Sequence, residues 1–325
     1  MIHDRPTSRR ALAQRRSVGL SYTYPVYVGQ LPDNDELLAA VAAAGWLLEQ
    51  RAVRILTAAD LHPRAGWAFE DSDDLGTSRE LDVWSYRQLL DDEDAKVRVR
   101  MSILVECKQS GLPYAAIGQD LPEWRFHDNP TQHVLPLQHF PVRKVGNQTW
   151  TEPAWDVLGF RNLSRDHGDI PFRANQLTRL DRIKGDGWSA SNSGIFTSLV
   201  YPLAKALRAS QKGIKSQDYQ FAETTTPRSE YLEFALHFPV VLISSPLYVV
   251  DASQSEPLVE QRSWVTALRE LKSKSVKGLF EFDIVTEAAF SDYVDEKVAL
   301  AQAIAELVAT DPTRCTGETW TMTEG

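Results

Sequence analysis

Apolar and polar positions alternate most clearly in two neighbouring stretches. Residues 79–86 place Leu81 and Val83 on one side of an extended strand and Glu80, Asp82 and Trp84 on the other. Residues 97–108 form a β-branched run that ends Ile103-Leu104-Val105-Glu106-Cys107-Lys108 and predicts a second strand, with Asp91-Asp92-Glu93-Asp94 as the turn between the two. Upstream, Asp33 or Asn34 can cap a helix over 35–49 with Leu37, Leu38, Val41 and Leu48 near helical spacing. Gly45 interrupts that pattern and predicts a helix end there, with a strand over 46–55. Residues 56–78 read as a loop or irregular hairpin.

Downstream the signals are weaker. Residues 112–190 hold no sustained period and are too long for a structureless loop, which predicts an insertion lying outside the sheet and bordering the site as a lid. A helix over 192–209, apolar at Phe196, Leu199, Val200, Leu203 and Leu207, is kinked by Pro202. A short helix over 230–236 precedes paired strands 238–243 and 247–251. A weaker strand over 256–266, a strand over 278–285 and an amphipathic helix over 289–309 complete the expectation. Residues 1–30 read as an irregular basic arm carrying Arg5, Arg9, Arg10, Arg15 and Arg16, and 31–325 as one α/β domain, a central mixed sheet flanked by helices.

Composition narrows the function class. At 43% hydrophobic and 24% charged, the 325 residues can bury a core without staples. The net charge of −9 argues against a protein that coats DNA non-specifically. No apolar run approaches the roughly 18 residues of a membrane span, and two cysteines make neither a disulfide framework nor a zinc site. The expected compartment is the cytoplasm, with no membrane partner.

The chemistry lies in the two strands. Period-two alternation puts Glu106 and Lys108 on one face, and pairing with residues 79–86 brings Asp82 to them. Two carboxylates and a main-chain carbonyl, that of Cys107, make a hard oxygen site for Mg²⁺ or Mn²⁺. A lysine beside them can orient water or stabilise developing charge. Asp82 followed by Glu106-Cys107-Lys108 at an apolar strand end resembles the PD-(D/E)xK nuclease superfamily. Ser78-Arg79-Glu80-Leu81-Asp82-Val83 and Glu106-Cys107-Lys108-Gln109-Ser110 are similar to strands of its Mrr-like and uncharacterised bacterial branches. Leu81 replaces the proline of the literal motif.

The resemblance implies a restriction-endonuclease-like core of αβββαβ order, with Asp82 and Glu106 as metal ligands and Lys108 as the catalytic lysine. It further implies an acid from the first helix, Glu36 or in second place Glu49. An Mg²⁺-dependent deoxyribonuclease follows, restriction-like or defensive, as a homodimer or with a partner defence protein. The competing reading is a nuclease-fold binding or assembly subunit with a vestigial site.

Other residues carry less. His127, His133 and His139 match no common metal spacing, and Asp251 and Asp283 read as solvated strand ends. Arg161, Arg165, Arg173, Arg179, Arg182 and Lys184 could face a nucleic-acid backbone or pair with the aspartates among them. Neither GxGxxG nor a P-loop is present, which argues against ATP use.

Overall fold

The computed structural model describes residues 31–185, 187–191, 194–212, 214, 231–320 and 323–324; the basic arm, 1–30, lies outside them. Helix α1 (Asn34–Ala43) ends just before Gly45, as expected, but there the chain turns, with φ of 90°, into a second helix, α2 (Trp46–Ala58). Residues 46–55 are therefore helix and not strand. The spacing of Leu48, Ala52 and Leu56, all fully buried, carries that helix.

Strands β1 (Arg64–Glu70), β2 (Ser78–Asp92) and β3 (Val97–Lys108) form an antiparallel meander. The middle of the chain holds β4 (Tyr114–Asp120), helix α3 (Glu123–Phe126), hairpin β5 (His139–Val145) and β6 (Gln148–Pro153), helices α4 (Ala154–Val157) and α5 (Phe160–Asp166), and hairpin β7 (Phe172–Ile183) and β8 (Gly187–Ser191). A π-helical turn, Phe196–Val200, widens the chain just before Pro202, which sits in the first turn of α6 (Tyr201–Gln211), where a missing N–H costs nothing.

The chain continues through β9 (Leu232–Ile243), β10 (Leu247–Asp251), β11 (Leu258–Arg262), β12 (Trp264–Lys272) and β13 (Lys277–Thr286). Helices α7 (Phe290–Thr310) and α8 (Pro312–Cys315) and a short β14 (Thr323–Glu324) close it. Residues 232–236 are strand, not helix: Leu232, Phe234, Leu236, Phe238, Val240 and Leu242 keep one period of two through β9. No helix among the described residues is long and apolar enough to cross a membrane.

An 11-stranded mixed sheet dominates, in the order β1-β2-β3-β9-β13-β12-β7-β4-β10-β11 with β8 on β7. It curls because two parallel pairs turn a corner together. β3 runs beside β9, and their continuations β4 and β10 pair again further round the sheet. Ser244 pins the corner: its hydroxyl oxygen accepts from Ser110 N–H at 2.9 Å, and its own N–H donates to the Lys108 carbonyl. One face packs on α2 and α7 through Val99, Ile103, Val105, Leu48 and Ile304; the other encloses α6 through Leu104, Val241, Phe282, Leu203 and Leu207.

The expectation for 112–190 is corrected here. β4, β7 and β8 belong to the sheet, so this stretch is largely structural and not a lid outside it. β7 escaped recognition because Arg173 occupies a buried position, held by Asp169 at 2.8 Å and Glu281 at 3.1 Å, which erases its apolar period.

Candidate active site at the fork of β2 and β3

The site grows out of a defect in strand pairing. β2 and β3 pair from Asp92↔Val97 onward, with one register shift between Gln88 and Leu90, and the pairing stops at Val83↔Val105. Beyond that point β2 follows β1 alone, through Trp67↔Leu81 to Glu70↔Ser78. Gly66 of β1, with φ of 58°, lies beside the fork, and a Cβ there would come within 3.2 Å of Glu80 Oε1. Leu81 and Val83 consequently enter different core clusters, Leu81 with α6 and Val83 with α2, and do not share the single face expected of them.

Asp82 occupies the opening. Its Oδ2 accepts the Cys107 N–H at 2.6 Å, replacing the main-chain partner that β2 no longer supplies. Glu106 is buried, and its Oε1 pairs with Lys108 Nζ at 3.0 Å. Alternation from Leu104 puts Glu106 and Lys108 on the α6 side of β3, while Cys107 belongs to the opposite core. Asp82 Oδ1 and Glu106 Oε2 have no hydrogen-bond partner among the described residues.

Electrostatics confirm that these groups feel each other. Burial first, then the Asp82 charge, pushes the Glu106 carboxyl up to about 7, against the pull of Lys108. Burial also raises Asp82, opposed by the Cys107 N–H and by Lys108. For Lys108, burial works against the ammonium, but the charge and hydrogen bond of Glu106 outweigh it and raise the pKa. Burial raises the Cys107 thiol as well, so its side chain stays protonated; only its carbonyl could serve a cation.

The helical acid near the site is Glu49, in the first turn of α2. Burial raises its pKa, followed by the Asp82 and Glu80 charges. Glu36 does not reach the site, because it is committed to a capping box. Its N–H donates to Asp33 Oδ1 at 2.8 Å, and its Oε2 accepts the Asp33 N–H at 3.1 Å on exposed α1. The acid near the site is thus the second of the two candidates that the resemblance implied, Glu49 and not Glu36.

The remaining candidates disperse. His127 pairs with Asp156 at 2.9 Å, and His139 is exposed at the start of β5. His133 is buried between Trp155 and Phe238 and accepts from the His237 N–H. Asp283 is not solvated: it is buried and accepts the Thr266 and Tyr293 hydroxyls, both at 2.7 Å. Arg161 and Arg173 are buried, each beside Asp169, and Arg179 pairs with Asp181, so internal pairing absorbs half of the basic series.

Two carboxylates with a free oxygen each, a strand carbonyl and an adjacent ammonium are donors of the type a hard divalent cation takes. Among the described residues no three His, Cys, Asp or Glu side chains gather closely enough to hold a metal by themselves, so a cation here would draw the rest of its shell from the carbonyl, water and substrate. The chain matches no family model, no curated protein and no solved structure.

Proposed function

We propose that the chain is a metal-dependent nuclease and that α2-β1-β2-β3-α6-β9, an αβββαβ order, is a restriction-endonuclease-like core. One observation carries the reading. Where β2 leaves β3, the half-buried Asp82 and the buried Glu106 keep an unpartnered oxygen each, and burial pushes the Glu106 carboxyl up to about 7. Burying like charges together is costly and persists where a cation or a reaction repays it.

Mg²⁺ or Mn²⁺, when bound, would neutralise phosphate charge and lower the pKa of a bound water. Asp82 and Glu106 would hold it through Oδ1 and Oε2, with the Cys107 carbonyl. Glu49 adds negative charge from the helix side. Lys108, fixed by Glu106, places a positive charge where the attacking water and the pentavalent phosphate would sit. DNA is the proposed substrate.

The closed Glu106–Lys108 pair and the Asp82–Cys107 hydrogen bond favour a second reading, a vestigial site whose groups satisfy one another. One experiment separates the two. Plasmid and single-stranded DNA are incubated with Mg²⁺, Mn²⁺ or EDTA, using the parent, Glu106→Gln and Lys108→Ala. The nuclease cleaves with metal and not in EDTA; Glu106→Gln abolishes cleavage, and Lys108→Ala lowers turnover by about 100-fold or more while its melting still responds to Mg²⁺. If Lys108→Ala unfolds the protein and Mg²⁺ shifts the melting of neither protein, the vestigial reading replaces the nuclease.

A further inference from the structure

Resting on the nuclease reading, we infer that the cleft between β1 and α6 is the path of a single-stranded polynucleotide leading to the fork. A row of rings runs from this cleft, which Trp67 and Phe69 line, across to β2. Phe69 stacks on Trp67 with centroids 5.3 Å apart, Trp67 on Trp84 at 5.6 Å, and Trp84 on Tyr86 at 6.1 Å, with interplanar angles of 28°, 23° and 7°. Trp84 stands two residues from Asp82 along β2 and lies opposite Leu104, which is two residues from Glu106 on the same face. The row and the carboxylates are thus contiguous.

The row sits on an edge. β1 is the last strand on its side of the sheet, and such strands are usually guarded by charge or proline. Between the charges of Arg64 and Glu70, this edge also carries Trp67 and Phe69, and they open onto a cleft of about 840 Å³, within the roughly 300–1,000 Å³ typical of ligand sites. Across it α6 presents Lys205 and Arg208, with Lys212 just past its end and Glu70 on the β1 side. Asp71 and Asp73 neutralise Lys205, but Arg208 touches only Gln211 among the described residues, and the guanidinium of Arg64 lies 5.6 Å from the Trp84 ring centroid.

Stacked rings facing cations suit unpaired bases on a phosphate backbone. Bases stack on indoles whatever their identity, and the cations follow the phosphates. A duplex keeps its base faces hidden and offers the rings nothing to stack on, so the row selects single strands.

The test reads binding alone, in EDTA and on the Glu106→Gln background, by fluorescence anisotropy of labelled 12-nucleotide dT, 12-nucleotide rU and a 12-base-pair DNA duplex. Either single strand binding at least tenfold tighter than duplex supports the proposal, and the tighter of the two names the sugar. Trp67→Leu should weaken single-strand binding about tenfold, Trp67→Phe should restore it, and Arg208→Glu should weaken it with a shallower salt dependence. Circular dichroism melting of each variant confirms that it folds. Duplex binding as tight as single strand overturns the proposal, as does Trp67→Leu binding like its parent, or a proline-rich peptide occupying the cleft where neither oligonucleotide does. Cleavage of duplex with no single-strand preference would sink this inference and leave the nuclease standing; single-strand binding without cleavage under any metal does the reverse.

Discussion

Glu106 is a strained carboxyl, raised from 4.5 to about 7 by burial and by Asp82. A carboxyl raised on folding stabilises the fold fully below its unfolded value and loses that contribution as pH rises through the folded one. Between about pH 4.5 and 7, on the order of 3 kcal/mol should therefore be lost in metal-free protein. His133 and His237 work in the opposite sense: burial lowers them to about 3 and about 4, so their contribution is lost as pH falls below about 6.5. Comparing the parent with Glu106→Gln cancels the histidines. Melting in EDTA should show the glutamine variant gaining on the parent from pH 5 to pH 8, and saturating Mg²⁺ should bring the parent back at pH 8. A gap that stays constant with pH would mean that Glu106 is not strained by its neighbours. Asp82, Glu106 and Lys108 could be found in the chain because strand alternation is short-range and regular. The break in alternation between Leu81 and Val83 could not, because it depends on Gly66 in another strand.

At the scale of elements, α1 and α2 divide two jobs that the sequence offered to one helix. Glu36 closes the capping box of α1, and Glu49 in α2 feels the Asp82 charge. Glu36→Ala should cost about 1 kcal/mol of stability and leave the Mg²⁺-induced melting shift untouched. Glu49→Gln should keep stability, or raise it slightly in EDTA, and weaken Mg²⁺ several-fold. Calorimetric titration of Mg²⁺ with both variants checks this; equal effects on affinity would remove Glu49 from the site. Gly45→Ala adds a control, since its φ of 90° and a Cβ 3.4 Å from that of Gln109 leave alanine strained there. It should lower both stability and metal affinity by tilting α2. The helical step Leu48-Ala52-Leu56 was present in the sequence, but a single glycine outweighed it. β9 shows the same lesson, since its period of two runs unbroken from Leu232 to Leu242 through a stretch that reads locally as helix.

For the molecule as a whole, the decisive question is whether residues 112–190 are built into the core of the mixed sheet or appended to it. Their sequence shows no period because the buried positions of β7 include Arg173, paired with Asp169 and Glu281, and because Tyr114-Ala115-Ala116-Ile117 of β4 is too short to announce itself. Gly118 tests the answer. At the register shift between β4 and β7, a Cβ on Gly118 would fall 2.6 Å from Ala174 Cα and 2.7 Å from Arg173 C, and nearer still to the Arg173 carbonyl oxygen. Backbone cannot step aside as a side chain can, so Gly118→Ala must part the two strands. β4 and β7 stand between β12 and β10 in the same sheet, and α6 is enclosed by that sheet opposite the fork. The expected result is a loss above about 3 kcal/mol in one cooperative transition, with the Mg²⁺ response disappearing together with the secondary structure. An appended lid predicts otherwise: a two-step melt in which Gly118→Ala lowers only the first step and the metal response survives it. Denaturant unfolding followed by far-ultraviolet circular dichroism and by tryptophan fluorescence separates the outcomes, because coincident curves require a single unit. With the sheet continuous through β13, β12 and β7, the corner that fixes Lys108 beside Ser244 depends on strands far from Lys108 in sequence. A defect at Gly118 should therefore be felt at the carboxylates.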